Sequence, residues 1–256
     1  MKEIKSTQNK KIKEWSKLTQ KSERRRTGCY LIESWHLVGT AIQTKQPIKW
    51  ILTTPEQLNQ HRDVLNRFEN LILITDRVAK RLGSTVHPQG IFAIVQMPDS
   101  SSIDPKQVKD GRWLLLDQVQ DPGNIGTMVR TADAAGFSGV IFGLGTASPY
   151  NPKVVRAMQG SQFHLKLANG NLKDWITNLT TNHVPVYGTI LDPEAIDYRK
   201  VKPSDRFGLV MGNEGNGMQK QLLKLTTKNL YIPIKGQAES LNVAVAAGIL
   251  MFELIK

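Results

Sequence analysis

Cysteine is nearly absent from this chain. Cys29 is the single one in 256 residues, which excludes an internal disulfide framework and any cysteine-based metal site. A reducing, cytoplasmic setting fits that usage. The opening Met1-Lys-Glu-Ile-Lys-Ser6 holds no apolar stretch of the kind a secretory signal needs. Long hydrophobic runs are also missing: the longest, residues 243–252, is broken by Gly248 and is too short to span a bilayer. Neither an internal repeat nor a low-complexity tract is present. Acidic residues are the last shortage, 22 Asp and Glu against 34 Lys and Arg, for a net charge of +12.

That imbalance is uneven. Residues 1–100 carry 17 Lys and Arg against 9 Asp and Glu, and the first 26 residues carry 10 against 3. A basic N-terminal half suits an anionic partner, of which nucleic acid is the commonest; the competing reading is a solvated helix face. Hydrophobic residues make up 40% of the chain, enough for a real core.

Periodicity predicts a helix over 8–22, followed by Arg24-Arg25-Arg26, then strands at 29–32, 49–52, 71–74 and 90–95 with helices at 35–43, 55–68 and 77–82. Residues 98–111, polar and rich in Pro, Ser and Asp, read as a linker. A second α/β pattern follows, with strands predicted at 113–117, 139–143, 163–167, 185–190, 207–211 and 229–233. Its helices are predicted at 124–135, 152–159, 171–181, 218–225 and 241–254. Several of these strands are wholly apolar, as in a parallel sheet covered on both faces.

Chemistry concentrates in the second half. Leu209 to Met218 and Tyr231 to Gly248 are each an apolar strand, a loop rich in Gly and small polar residues, and a helix. Such loops allow close backbone approach to a ligand. The segment Met211-Gly-Asn-Glu-Gly-Asn-Gly217 lacks both the Lys-Ser/Thr ending of a P-loop and the spacing of a dinucleotide turn. Its Glu214 suits a neutral or cationic ligand, although a plain tight turn reads equally well. Upstream, Asp121-Pro-Gly-Asn-Ile-Gly-Thr127 opens a helix with Asn124 at its expected N-cap, and Arg130 lies within that helix. Ser240 is the expected N-cap of the last helix, with Asn242 inside its first turn. Lys153 and Arg156, on a short helix, are candidate phosphate contacts or a solvated face.

Together these segments resemble the SpoU (TrmH-type) RNA ribose 2′-O-methyltransferases of the SPOUT superfamily. The first motif is similar to Asp121 to Thr127 with Arg130, the second to Leu209 to Gly217, the third to Ile232 to Asn242 with its helix. The resemblance covers 112–256. Residues 1–97 look like the ribosomal-protein-like α/β substrate-binding domain of many members, through Ile4-Lys-Ser6 with Asn9 and Tyr30-Leu-Ile-Glu33; Ser34 stands where members commonly have Gly.

The resemblance implies an α/β C-terminal domain with a deep trefoil knot, an arrangement that no periodicity argument yields. It also implies S-adenosylmethionine as cofactor, no metal, and a homodimer formed through the knot region. The implied catalytic set is Asn124, Arg130, Glu214, Ser240 and Asn242, and the cofactor contacts are Gly212, Ile232 and Leu241. RNA, ribosomal in preference to transfer, would be held by Arg24, Arg25, Arg26, Lys153 and Arg156. An arginine is hard to deprotonate, so clamping a phosphate suits Arg130 better than acting as a base. Two other readings compete: a non-catalytic RNA-binding protein of the same fold, and a Rossmann-type methyltransferase. The second would need a Gly-rich turn after its first strand, and Asp117-Gln-Val-Gln-Asp-Pro122 is not one.

Overall fold

A computed structural model describes residues 2–98 and 103–256. The chain groups into two compact units, Met1–Pro98 with Tyr150–Phe163, and Asp99–Pro149 with His164–Lys256. The segment 150–163 thus packs with the first unit, although it falls inside the stretch 112–256 expected as one domain.

The first unit runs β1 (Lys2–Ile4), α1 (Lys10–Ser16), α2 (Lys21–Thr27), β2 (Cys29–Glu33), α3 (Trp35–Gln43), β3 (Ile48–Thr53), α4 (Pro55–Gln60), α5 (Arg62–Leu65), β4 (Leu71–Ile74), α6 (Asp76–Leu82) and β5 (Ile91–Gln96). Its sheet has the order β1-β4-β3-β5-β2, with β5 antiparallel to both neighbours. Ile12, Trp15 and Leu18 pack with Cys29, Ile72, Ile74 and Phe92 in one core cluster.

The helix expected over 8–22 is broken. After a 3-10 turn at Lys17–Thr19, Gln20 is extended (φ −88°, ψ 136°), and a new helix starts at Lys21. A helix end leaves carbonyls without intrahelical donors. Here Arg24 supplies one: its Nη1 donates to the Leu18 and Thr19 carbonyls at 2.9 and 2.8 Å. The helix expected at 55–68 is likewise interrupted at His61 (φ −126°) and becomes α4 and α5.

Of the expected linker, residues 99–102 lie outside the described residues, and Pro105–Gln107 form a 3-10 turn capped by Asp104. The second unit then runs β6 (Arg112–Leu116), α7 (Pro122–Ala134) and β7 (Gly139–Gly143). Helix α8 (Pro152–Met158) follows in the chain and belongs to the first unit. The second unit resumes with β8 (Lys166–Gly170), α9 (Leu172–Thr181), β9 (Val186–Thr189), β10 (Ile196–Asp197), β11 (Phe207–Met211), α10 (Lys220–Leu223), β12 (Lys228–Tyr231) and α11 (Val243–Leu254). The strand expected at 163–167 sits three residues later, because Gly139 pairs with Lys166. A Cβ at Gly139 would lie 2.4 Å from the Lys166 carbonyl oxygen, so that register needs glycine.

All seven strands are parallel, in the order β10-β12-β9-β11-β6-β7-β8. From β6 the chain moves outward through β7 and β8. It then crosses to the other side of β6 to lay down β9, β11 and β12. The order therefore switches direction between β6 and β11, and ligands of open parallel sheets bind at the carboxyl ends of strands beside such a switch. The loops after β6 and β11 are neighbours there, and the Asp117 N–H donates to the Met211 carbonyl at 2.8 Å. Helices α7 and α11 pack against each other. Among the described residues no helix is long and apolar enough to cross a membrane.

Candidate active site

The loop after β11 is shaped by its glycines. A Cβ on Gly212 would lie 2.3 Å from both the Gly217 carbonyl carbon and the Met218 nitrogen, backbone atoms that cannot yield. Asn213 and Gly217 exchange two backbone hydrogen bonds of 3.0 Å, and Gly217 has φ +66°. Between them the Asn213 side chain bridges both loops. Its Oδ1 accepts the Gly215 and Asn216 N–H groups, while its Nδ2 donates to the Gln118 carbonyl at 2.8 Å.

This frame aims Glu214 at the start of α7. Its carboxylate accepts the Asp121 N–H at 3.1 Å, the Gln120 N–H at 3.4 Å and the Asn124 Nδ2 at 3.2 Å. Asn124 Oδ1 in turn accepts from Asn242 Nδ2 at 3.0 Å. One polar chain thus joins the loop after β11, the first turn of α7 and the first residue before α11. Burial pushes the Glu214 carboxyl up. Hydrogen bonds from its own N–H, the Asn124 amide and the Asp121 and Gln120 N–H groups outweigh burial and hold it below its ordinary value. Glu214 is a carboxylate at neutral pH, and Asn124 must present its amide nitrogen to it and its oxygen to Asn242.

Two capping assignments are corrected. Asp121, not Asn124, is the N-cap of α7: Pro122 occupies the first helical position, which favours Pro, and the Asp121 carboxylate accepts the Asn124 N–H at 2.8 Å. Asn242, not Ser240, caps α11, accepting the Ala244 and Val245 N–H groups at 2.9 and 3.3 Å. The Asp121 cap leaves the Asn124 amide to reach Glu214, whereas Asn242 caps α11 with its Oδ1 and reaches Asn124 with its own Nδ2. The Asp-Pro pair at 121–122 is the sequence signal for the first. No comparable signal separates Ser240 from Asn242.

Beside this chain lies a cleft of about 290 Å3 at the carboxyl ends of β9, β11 and β12. Gly212, Ile232, Leu241, Glu214 and Ser240 all line it, with apolar walls from Met211, Ile234, Val243 and Leu250. It offers what a sulfonium-bearing nucleoside needs: an apolar slot for a flat ring, a glycine-bared backbone, and an ionised carboxylate at the rim. Residues 233–241 form no backbone–backbone hydrogen bond among the described residues, which leaves their polar groups for a ligand. Arg130 is exposed on α7, two turns beyond Asn124, and its guanidinium forms no hydrogen bond or ion pair among the described residues. Among those residues, too, no group of three or more His, Cys, Asp or Glu could hold a metal ion.

The basic residues expected to meet RNA divide. Arg24 is buried, 4% exposed, and its guanidinium completes the end of the preceding helical segment, so it is withdrawn from the phosphate-binding set. Arg26 pairs with Glu23 at 2.8 Å, and Arg25 is exposed. In α8, Lys153 is exposed, and Arg156 Nη1 donates to the Ser84 hydroxyl at 3.3 Å. That hydroxyl donates onward to Glu33, which also accepts from Thr85 at 2.6 Å. Sequence reasoning missed Asn213 and Asp121 as members of the site. It also missed the buried Asp117, whose carboxylate accepts the Gln219 N–H and side chain at 2.8 and 2.6 Å.

Known proteins are similar to the chain in sequence and fold. Residues 111–252 match the SpoU rRNA Methylase family, and residues 9–93 match the MRM3-like substrate binding domain. The chain is 42% identical over 254 residues to a 23S rRNA guanosine 2′-O-methyltransferase of Bacillus subtilis, covering 99% of both. Among solved structures, an AdoMet-bound rRNA methyltransferase from Sinorhizobium meliloti superposes with a TM-score of 0.86 at 33% identity, over 99% of this chain and 97% of that one. The SpoU methyltransferase AviRb from Streptomyces viridochromogenes, in complex with AdoMet, gives 0.84 at 27% identity over 96% and 97%. With the family matched over more than half of its length and a relative of that identity along nearly all of it, the chain belongs to the SpoU rRNA methylase family.

Proposed function

We propose that the protein is an S-adenosylmethionine-dependent methyltransferase acting on a ribose 2′-hydroxyl of ribosomal RNA. The observation that carries this is the hydrogen-bonded chain from Glu214 through Asn124 to Asn242, set against a cleft lined by Gly212, Ile232 and Leu241. Held against Gly212, Ile232 and Leu241, S-adenosylmethionine would supply an electrophilic methyl group for the ribose oxygen, its sulfonium sulfur leaving as a neutral thioether and the hydroxyl proton passing to solvent.

The chain's own residues set up that encounter. Gly212, Ile232 and Leu241 give the cofactor its seat, and Ser240 lies at the rim of the same cleft. Asn124, fixed at both ends of its amide by Glu214 and Asn242, orients the approaching ribose; positioning of this kind supplies much of the rate of a displacement reaction. Arg130 clamps a phosphate of the target nucleotide. A guanidinium is a planar fork of N–H donors with no acceptor, which suits a clamp and not a base. The N-terminal unit holds RNA through Arg25, Arg26, Lys153 and Arg156, and the 2′-hydroxyl makes RNA, not DNA, the substrate.

The same reading includes a trefoil-knotted C-terminal domain, a cytoplasmic setting and a homodimer. What supports the dimer is α11. Val245, Ile249 and Phe252 recur at helical spacing on one side of it, and Val245 and Phe252 are 53% and 54% exposed. An apolar stripe on an otherwise packed helix fits a second copy of the chain. The proposal is tested by incubating the protein with methyl-labelled S-adenosylmethionine and unmodified 23S rRNA, then mapping ribose methylation. Label at one 2′-position is the expected result; label on a base, or none despite cofactor binding, would overturn the reading.

A further inference from the structure

A second cleft opens at the carboxyl edge of the same parallel sheet, beyond β6, β7 and β8 rather than β9, β11 and β12. Its volume is about 520 Å3, larger than the cleft beside Glu214. Gln118 follows β6 into its wall, Leu144 follows β7, and Asn171 caps α9 after β8. The opposite wall is α10 and its flanks.

The chemistry of this wall has a sign. Lys173 and Lys224 line it, and among the described residues neither forms an ion pair. The single carboxylate in the wall is Asp117, and both of its oxygens are occupied by Gln219. The start of α9 adds the positive end of a helix dipole; Asp174 in that first turn is exposed and outside the wall. Gln118 and Gln221 contribute amide edges, and Leu144 contributes an apolar surface that is 72% exposed. Two unpaired cations, amide edges and an apolar platform match a nucleotide: phosphate, base edge and base face.

We infer that this cleft binds a second nucleotide of the substrate RNA, its phosphate engaged by Lys173 and Lys224 and its base lying against Leu144. The inference rests on the RNA methyltransferase reading above. It also gives Asp117 a purpose beyond the fold. The Asp117–Gln219 pair is shared between this wall and the far end of the Glu214 loop, so RNA seated here touches the same pair that fixes the loop.

The test compares Lys173→Ala/Lys224→Ala with a control that removes two lysines from outside the cleft in the same unit, Lys200→Ala/Lys202→Ala. Affinity for in-vitro transcribed 23S rRNA is measured across a salt series, together with affinity for S-adenosylmethionine. The cleft variant is expected to bind RNA about tenfold more weakly at low salt. Its log affinity against log salt should fall less steeply by about 0.7, the value for one phosphate contact on a single strand. Cofactor affinity stays within twofold, and the control stays near wild type. An unchanged salt slope in the cleft variant, or an equal loss in the control, overturns the inference. Failure of the wild type to methylate RNA at all would instead sink the reading beneath it.

Discussion

Asn124 Nδ2 donates to Glu214 Oε1 at 3.2 Å, across 90 residues of sequence. The bond exists because β6 and β11 are neighbours in the sheet, so the loops after them emerge side by side. Each residue then fixes the other: the carboxylate decides which way the amide faces, and the amide helps to keep the carboxylate ionised. Asn124→Ala is therefore expected to fold and to bind S-adenosylmethionine within about twofold of wild type, while kcat falls by about 100-fold, the scale of a misplaced reacting group. Single-turnover methylation beside isothermal titration separates the two effects, and a matched loss of cofactor affinity and rate would argue against an orienting role.

Arg130 should behave differently. With no partner of its own among the described residues, it can be removed without structural loss. Arg130→Ala is expected to abolish transfer with the melting temperature and cofactor affinity nearly unchanged. Arg130→Lys should recover little, because a point charge does not replace a planar fork on phosphate. Methyl transfer to rRNA measures this directly, and wild-type turnover in the alanine variant would rule the role out.

Much of this was legible in the sequence, and the misses share a cause. Unbroken apolar runs marked β6, β7 and β11 to within a residue, since a strand buried on both faces leaves such a run, and the more mixed β9 and β12 were placed to within two residues. Loop chemistry marked Glu214 and Asn124, but not that they bond, because strand order is not written in the local pattern. The break at Gln20 was invisible for a similar reason: Ile12, Trp15 and Leu18 keep helical spacing up to it, and the arginine that seals the break reads as one more surface charge in a run of three. Periodicity cannot show which of three adjacent cations turns inward.

That inward turn gives a contrast inside one triplet. Arg24→Ala removes the donor to two backbone carbonyls and is expected to cost about 2 kcal/mol, within the range for hydrogen bonds to charged groups. Urea unfolding should show this with no change in the salt slope of RNA binding. Arg25→Ala should show the reverse, unaltered stability and weaker RNA binding.

Gly212 permits no side chain. Gly212→Ala drives a Cβ into the Gly217 and Met218 backbone at 2.3 Å, so the loop must open. The expected result is a folded protein destabilised by about 1–3 kcal/mol, the usual cost of overpacking. Calorimetry reads the stability loss, and titration should find cofactor affinity at least tenfold weaker, since the displaced loop forms the cleft wall. Unchanged affinity would show that the loop's position is immaterial to the seat.

The Glu214 carboxyl has its pKa lowered in the folded state, so its contribution to stability is full above the unfolded carboxylate value and is lost as pH falls through the folded one. Wild type is thus expected to exceed Glu214→Gln in melting temperature by a constant margin from neutral pH down to about pH 5, where a free glutamate remains largely ionised. Below that the margin should narrow. Differential scanning calorimetry of both proteins from pH 7 to pH 3 follows it. A margin that grows on acidification would mean that the folded carboxyl is raised, contrary to the four donors around it.

Helix α11 supplies the last prediction. Val245 and Phe252 stand seven residues apart and project from the same side, more than half exposed, while Ala244, Ala247, Leu250, Met251 and Leu254 fill the packed side. Leaving two such side chains in water wastes about 1.5–3 kcal/mol apiece relative to burial, and a symmetric pair of helices recovers it twice. Replacing the surface residue Phe252 with Asp leaves the packed side intact, so Phe252→Asp should remain folded by circular dichroism. Its mass by light scattering should fall to that of one chain where wild type gives two. A wild-type protein that is monomeric at tens of micromolar, or a dimer indifferent to Phe252→Asp, would remove α11 from the interface.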